Sequence, residues 1–181
     1  MGFATPPRAA DDAVHDVAAA VLGDGMSSPL LAELRERRGL VYHAGAHVDR
    51  FEYGGQLAIE ASFAPKHLDP VLRETARLLR ALADHVDEVD LERARNQLVV
   101  RLWRDEERAS TRIEQAALDL FARGAVPAAA ERVARVHAVD AAQVRAAFER
   151  MLHAGASVAI TGSVGRGATP RVQEALSALR G

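Results

Sequence analysis

Two short alternating stretches lie between long helical stripes, and that order constrains the fold more than any other feature of this 181-residue chain. From Gln56 to Phe63, the residues Leu57, Ile59, Ala61 and Phe63 share one face of an extended segment, the period of a half-buried strand. Leu40 to Asp49 alternates more weakly, and Glu52-Tyr53-Gly54-Gly55 between the two predicts an antiparallel pair joined by a turn. Upstream, Ala13, Val14, Val17, Ala20, Val21 and Leu22 fall on one helical stripe. That helix is expected to start near Asp11 and to end at Gly23-Asp24-Gly25. Ser28-Pro29 reads as a second helix start, with the hydroxyl as cap and proline in the first helical position, and Gly39 as its stop.

Downstream, Leu72, Leu79, Leu82 and Val86 form a stripe that predicts a helix from about His67 to Val86. Asp90 is the expected cap of a long helical run toward Gly124, bent or broken around Ala109 to Arg112. A short helix over Ala128 to Val136 follows, and Asp140 with Gln143 makes a capping box for a helix through Leu152. Ser157 to Thr161 reads as a short strand, and a last helix follows Pro170. Residues 1–10 read as an irregular lead-in, because Pro6 and Pro7 remove backbone donors. The sum is an α+β fold, a mainly antiparallel sheet with helices packed on one face, forming a single domain over residues 11–181. So few strands for so many helices predict that one edge strand lies upstream of this sequence.

Charge and composition narrow the function. The 23 basic residues are matched by 25 acidic ones, without a basic block, so nucleic acid is not an expected partner. The chain has no cysteine, which removes disulfides, thiolate metal sites and thiol catalysis. No signal-like leader and no apolar run of spanning length stand out, so a cytoplasmic protein without membrane contact is expected. High Ala and Arg with few Lys suggests a bacterial source of high GC content.

Candidate sites are few. His43 and His47 sit in His-Ala-Gly-Ala-His, four residues apart as on a zinc helix. On an extended strand, though, two such rings stand roughly 13 Å apart, too far to share one metal. His15, His67, His85, His137 and His153 lack any His-x-x-Glu-His or His-Glu-x-x-His context. Gly162-Ser-Val-Gly165-Arg-Gly167 follows a predicted strand, but its spacing is not that of a dinucleotide loop, and an exit loop is the better reading. The acidic residues lie beside arginines, as in Asp105-Glu106-Glu107-Arg108, and read as ion-paired surface.

One longer pattern is more specific. The segment from Leu22 through Gly23, Asp24, Gly25, Met26, Ser27, Ser28 and Pro29 to Arg35-Glu36 and Gly39-Leu40-Val41-Tyr42 resembles the second domain of inverzincin zinc peptidases, the insulinase, pitrilysin and processing-peptidase family. Asp90-Leu-Glu-Arg-Ala-Arg-Asn-Gln-Leu98, Val136 to Asp140 and Ser157 to Gly162 resemble later segments of the same domain, in the same order. Asp24 stands where a glycine is usual and Pro29 where an arginine is frequent. The zinc motif of the first domain is absent.

The resemblance implies a non-zinc-binding domain of a metalloendopeptidase that encloses extended peptides. It implies that Arg35 and Tyr42 serve as auxiliary catalytic residues on the substrate carbonyl and its oxyanion. The chain itself would hold no metal or cofactor; zinc belongs to a complementary catalytic lobe, which with peptides is the expected partner. Alternatively, the same fold serves as an inactive scaffold or partner subunit, as in respiratory core proteins. Self-association into a homo-oligomer is a third expectation, since a missing lobe leaves surface to cover.

Overall fold

A computed structural model describes residues 1–10 and 13–180. The expected pair is present: β2 (His43–Arg50) and β3 (Gly55–Ser62) run antiparallel in the register His43↔Ser62 to Arg50↔Gly55. Phe51 donates its amide to the Gly54 carbonyl at 2.8 Å to close the hairpin. The third strand lies where an irregular lead-in was expected. Gly2–Thr5 forms β1 and pairs antiparallel with β3 from Gly2↔Ala58 to Thr5↔Gly55, giving the order β1-β3-β2. Pro6 and Pro7 do stop it, and a single 3-10 turn follows at Arg8–Ala10. β1 is thus an edge strand of the described sheet, formed by residues expected to be irregular.

The expected strand at Ser157 to Thr161 is reduced to a bridge, in which Gly2 and Ser157 exchange both backbone bonds at 2.8 and 2.9 Å. The antiparallel register places Val158 opposite Met1, so Ala159 to Thr161 extend past the last residue of the ladder.

Helices cover one face of this sheet. α1 (Val14–Gly23) packs on β2; its expected start near Asp11 lies outside the described residues. α2 (Pro29–Leu31) begins at Ser28, which is extended as a cap residue should be, but the buried Ser28 hydroxyl makes no hydrogen bond among the described residues. α2 continues into a π-helical segment, Ala32–Arg37, and Gly39 then leaves it at φ +58°, a left-handed conformation suited to glycine. α3 (Leu68–Asp84), α4 (Glu88–Glu107), α5 (Ala109–Arg123), α6 (Ala129–Ala138), α7 (Ala141–Ala154) and α8 (Ala168–Arg180) complete the chain.

The cap of α4 is Asp87, not Asp90: the Asp87 carboxylate accepts from the Val89 amide at 2.7 Å. Asp90 lies inside the helix and pairs with Arg93 at 3.2 Å. Arg93 in turn donates to the Val21 and Asp24 carbonyls at 3.2 and 2.8 Å, supplying a cation to the open end of α1. The break between α4 and α5 falls at Arg108. The Asp140–Gln143 capping box of α7 forms in both directions, at 2.8 and 2.9 Å.

One core runs from Phe3 to Leu179, with Val17, Val21, Leu22, Leu34, Leu57, Leu79 and Phe148 all sealed from solvent. At its tightest point a Cβ on Gly23 would stand 2.5 Å from the Ala46 nitrogen, so only glycine lets α1 approach β2 this closely.

Candidate functional site

The face of the sheet away from the core carries His43, Gly45 and His47 on β2 opposite Ser62, Glu60 and Ala58 on β3. A cavity of about 350 Å³ opens beside the edge strand β2, the loop Asp24–Met26 and the π-helical segment, and is lined from both faces of the strand. Arg35 stands on its wall. His43, Gly45, His47 and Glu60 line it on the face away from the core, and Leu31, Ala44 and Ala46 on the helix-covered side. Tyr42 lies one residue before β2, 73% exposed, with its amide donating to the Ser62 carbonyl at 2.7 Å. It is not part of the cavity wall.

The π-helical segment is fixed from behind by a cluster that reads as open surface in the sequence. Glu33 is buried, and its carboxylate accepts from Arg38 at 2.8 Å and Arg37 at 3.0 Å, with Arg77 of α3 at 3.3 Å. Glu74, also buried, accepts from Arg77 at 2.8 Å and pairs with Arg38 at 3.2 Å. The Arg38 hydrogen bond, followed by the Arg37 bond and the charges of Arg38 and Arg77, holds the Glu33 carboxyl below its ordinary range against the opposing effect of burial. The bond that Arg77 donates to Glu74 raises the guanidinium further above its already high value. The Glu33–Arg37 spacing of four and the Glu74–Arg77 spacing of three are the local signals, but that the two pairs meet is not legible in sequence, because they lie on separate helical segments.

Arg35, two residues after Glu33, is placed differently. Its side chain is 44% exposed, its nearest carboxylate is Glu36 at 3.7 Å, and its other polar neighbour is the Met26 sulfur at 4.0 Å. These contacts are weak enough to leave a fork of guanidinium donors open to a ligand. His43 and His47 occupy one strand face four residues apart, with Gly45 between them. Among the described residues no group of three or more His, Asp or Glu side chains is placed to hold a metal ion. His43 and His47 alone are too few ligands for a zinc site.

A further buried carboxylate lies at the other end of β2. Asp119 of α5 accepts from Arg8 at 3.0 Å, with Arg123 and Arg132 at 3.7 and 3.9 Å, beside a cavity of about 370 Å³. It ties the 3-10 turn after β1 to α5 and α6, a pairing over 111 residues without a local sequence signal.

The model of the peptidase M16 inactive domain matches residues 1–98, more than half of the chain. The chain belongs to this family. The M16 assignment agrees with the likeness of the Arg35-to-Tyr42 segment to inverzincin second domains and with the α+β architecture. An uncharacterized zinc protease of Rickettsia bellii is 26% identical over 144 residues, which is 80% of this chain and 35% of that protein. Among solved structures, a chain of complex III2 from Candida albicans superposes with a TM-score of 0.76 at 15% identity, over 84% of this chain and 39% of that one. A protease from Helicobacter pylori gives 0.74 at 16% identity, over 84% of this chain and 38% of its own. The M16 domain described here thus spans a little over a third of the length of the proteins it matches. Among the described residues no helix is long and apolar enough to cross a membrane.

Proposed function

We propose that this chain, with residues 11–181 as one domain joined by β1, is the non-zinc-binding part of an M16 zinc endopeptidase. It closes over an extended peptide and presents Arg35 and Tyr42 to a substrate whose zinc is bound by a separate catalytic lobe. The observation that carries this reading is the contrast on one helical segment. Arg37 and Arg38 are tied to Glu33, whereas Arg35 is left open at a cavity beside the edge strand β2. A guanidinium and a phenol both donate at neutral pH, so they suit a peptide carbonyl and the oxyanion that forms when it is attacked.

Reconstitution with a zinc-binding M16 lobe encoded in the same or a neighbouring frame tests the reading through peptide cleavage. Arg35→Ala is expected to lower turnover about 100-fold and Tyr42→Phe by a smaller factor, as for removal of an oxyanion donor. Unchanged turnover in both variants, with folding intact, would overturn the assignment.

A second reading is supported by the likeness to the complex III2 chain: an inactive scaffold or partner subunit. It predicts that neither the same frame nor its neighbours encode His-x-x-Glu-His, and that Arg35→Ala changes no activity of the assembled complex.

A further inference from the structure

α5 is built inside out. Its body-facing side is polar: Arg8 donates to Gln115 at 3.1 Å and to Asp119 at 3.0 Å, and Asp119 is the one buried residue of the helix. Its large apolar side chains point the other way, with Ile113 67%, Leu120 54% and Phe121 88% exposed. Single exposed apolar residues are ordinary on a protein surface, but a stripe of them along one helix marks a contact. A turn of α5 about its own axis would bury the stripe only by breaking the Arg8–Asp119 pair. The stripe therefore calls for cover from outside the chain.

The order of side-chain sizes says what fits it. Ser110, Ile113, Ala117, Phe121 and Gly124 are all exposed, share one face at helical spacing, and run small, large, small, large, small. Counted from Ala117, the large residues stand four positions to either side and the outer small ones seven. Such a stripe is its own complement when a second copy crosses it antiparallel at Ala117. Each Phe121 then lies over the other copy's Ile113, each Gly124 meets a Ser110, and the two central methyl groups let the helix axes approach to about 8 Å. Antiparallel packing also brings opposite ends of the two helix dipoles together. We infer that α5 pairs with α5 of a second copy of this chain about a twofold axis at Ala117. α5 contributes nothing to the wall of the Arg35 cavity, so the inference does not rest on the peptidase reading. One pair of 15-residue helices offers less than the roughly 800 Å² per partner of a standard interface, which makes the dimer reversible and half formed near about 100 µM.

Sedimentation of the full 181-residue chain from about 1 µM to about 1 mM tests it. Monomer at the low end and dimer at the high end are expected, with nothing larger, because a twofold contact closes on itself. Phe121→Ser changes an exposed side chain, so the monomer keeps its fold while each dimer loses two buried phenyl groups. Its dissociation constant is expected to rise at least about 100-fold. The register is read separately, since the chain has no cysteine of its own. Ala117→Cys sets one thiol of each copy at the twofold axis, where mild oxidation is expected to link them, whereas Arg166→Cys, on the exposed loop before α8, links at least about tenfold more slowly. A chain that stays monomeric throughout, a dimer that Phe121→Ser leaves intact, assemblies larger than two, or equal linkage of the two thiols would each overturn the inference. So would a chain that stays monomeric by itself and instead binds a zinc-carrying M16 lobe in a manner weakened by Phe121→Ser, because the stripe would then belong to that lobe.

Discussion

The Glu33 cluster and the cavity wall a few residues away use the same side chain for opposite ends. In the cluster, two buried carboxylates face three guanidiniums, and every cation has a partner within 3.3 Å. On the wall, Arg35 has no carboxylate closer than 3.7 Å among the described residues. Both regions hang on one π-helical segment, so the difference is not in the backbone that carries them but in what lies opposite. An arginine met by an acid from a second helix becomes part of the structure, and one that faces open space remains available.

Four substitutions sharpen or break that comparison. Leu34, fully buried between Glu33 and Arg35, anchors the segment, and Leu34→Ala is expected to cost about 3 kcal/mol in urea unfolding. A loss below about 1 kcal/mol would mean that the segment is not held by the core.

Glu33→Gln comes next, at about 1–2 kcal/mol, because its partners are partly exposed and solvent screens them. The sign with pH follows from the lowered carboxyl. Its stabilising effect is fully present above the ordinary glutamate range near about 4.3 and is lost as pH falls through the lower folded value. Thermal melts should therefore show wild type and Glu33→Gln converging below about pH 4, whereas a gap constant with pH would exclude the carboxylate as its source.

Gly39→Ala tests the exit from the segment. Open space surrounds a Cβ there, so only the left-handed φ of +58° opposes the change, at about 1 kcal/mol. Arg35→Ala should be the mildest, within about 0.5 kcal/mol of wild type in the same melts. A larger loss would place Arg35 with the structural arginines and end the contrast.

Local chemistry was the most legible part of the sequence. The Asp140–Gln143 box formed as read because both partners lie within one turn. The β2–β3 pair was legible for a related reason, since its faces and its turn are encoded within 20 residues. Asp87 and Asp90 were locally equivalent as caps. What separates them is Arg93, which uses Asp90 while it reaches the end of α1, and that demand comes from tertiary packing. β1 stayed hidden because its single deeply buried residue, Phe3, gives no period, and its partner strand is more than 50 residues away.

The site divides along the same line. The Arg35-to-Tyr42 pattern marked where to look, and the structure sets Arg35 in a cavity wall and Tyr42 outside it. The burial of Glu33 depends on α3, and the placing of Glu60 opposite Gly45 on strand register, which no window of sequence contains.

The contact between Gly23 and Ala46 bears on how the cavity can respond to a guest. Both residues belong to its wall, one on the helix and one on the strand, and no side chain separates them. That side is in effect a welded seam: prising it apart would open a void that neither layer has atoms to fill. A bulky occupant must instead displace the Asp24–Met26 loop, the part of the rim that carries the exposed Met26 thioether.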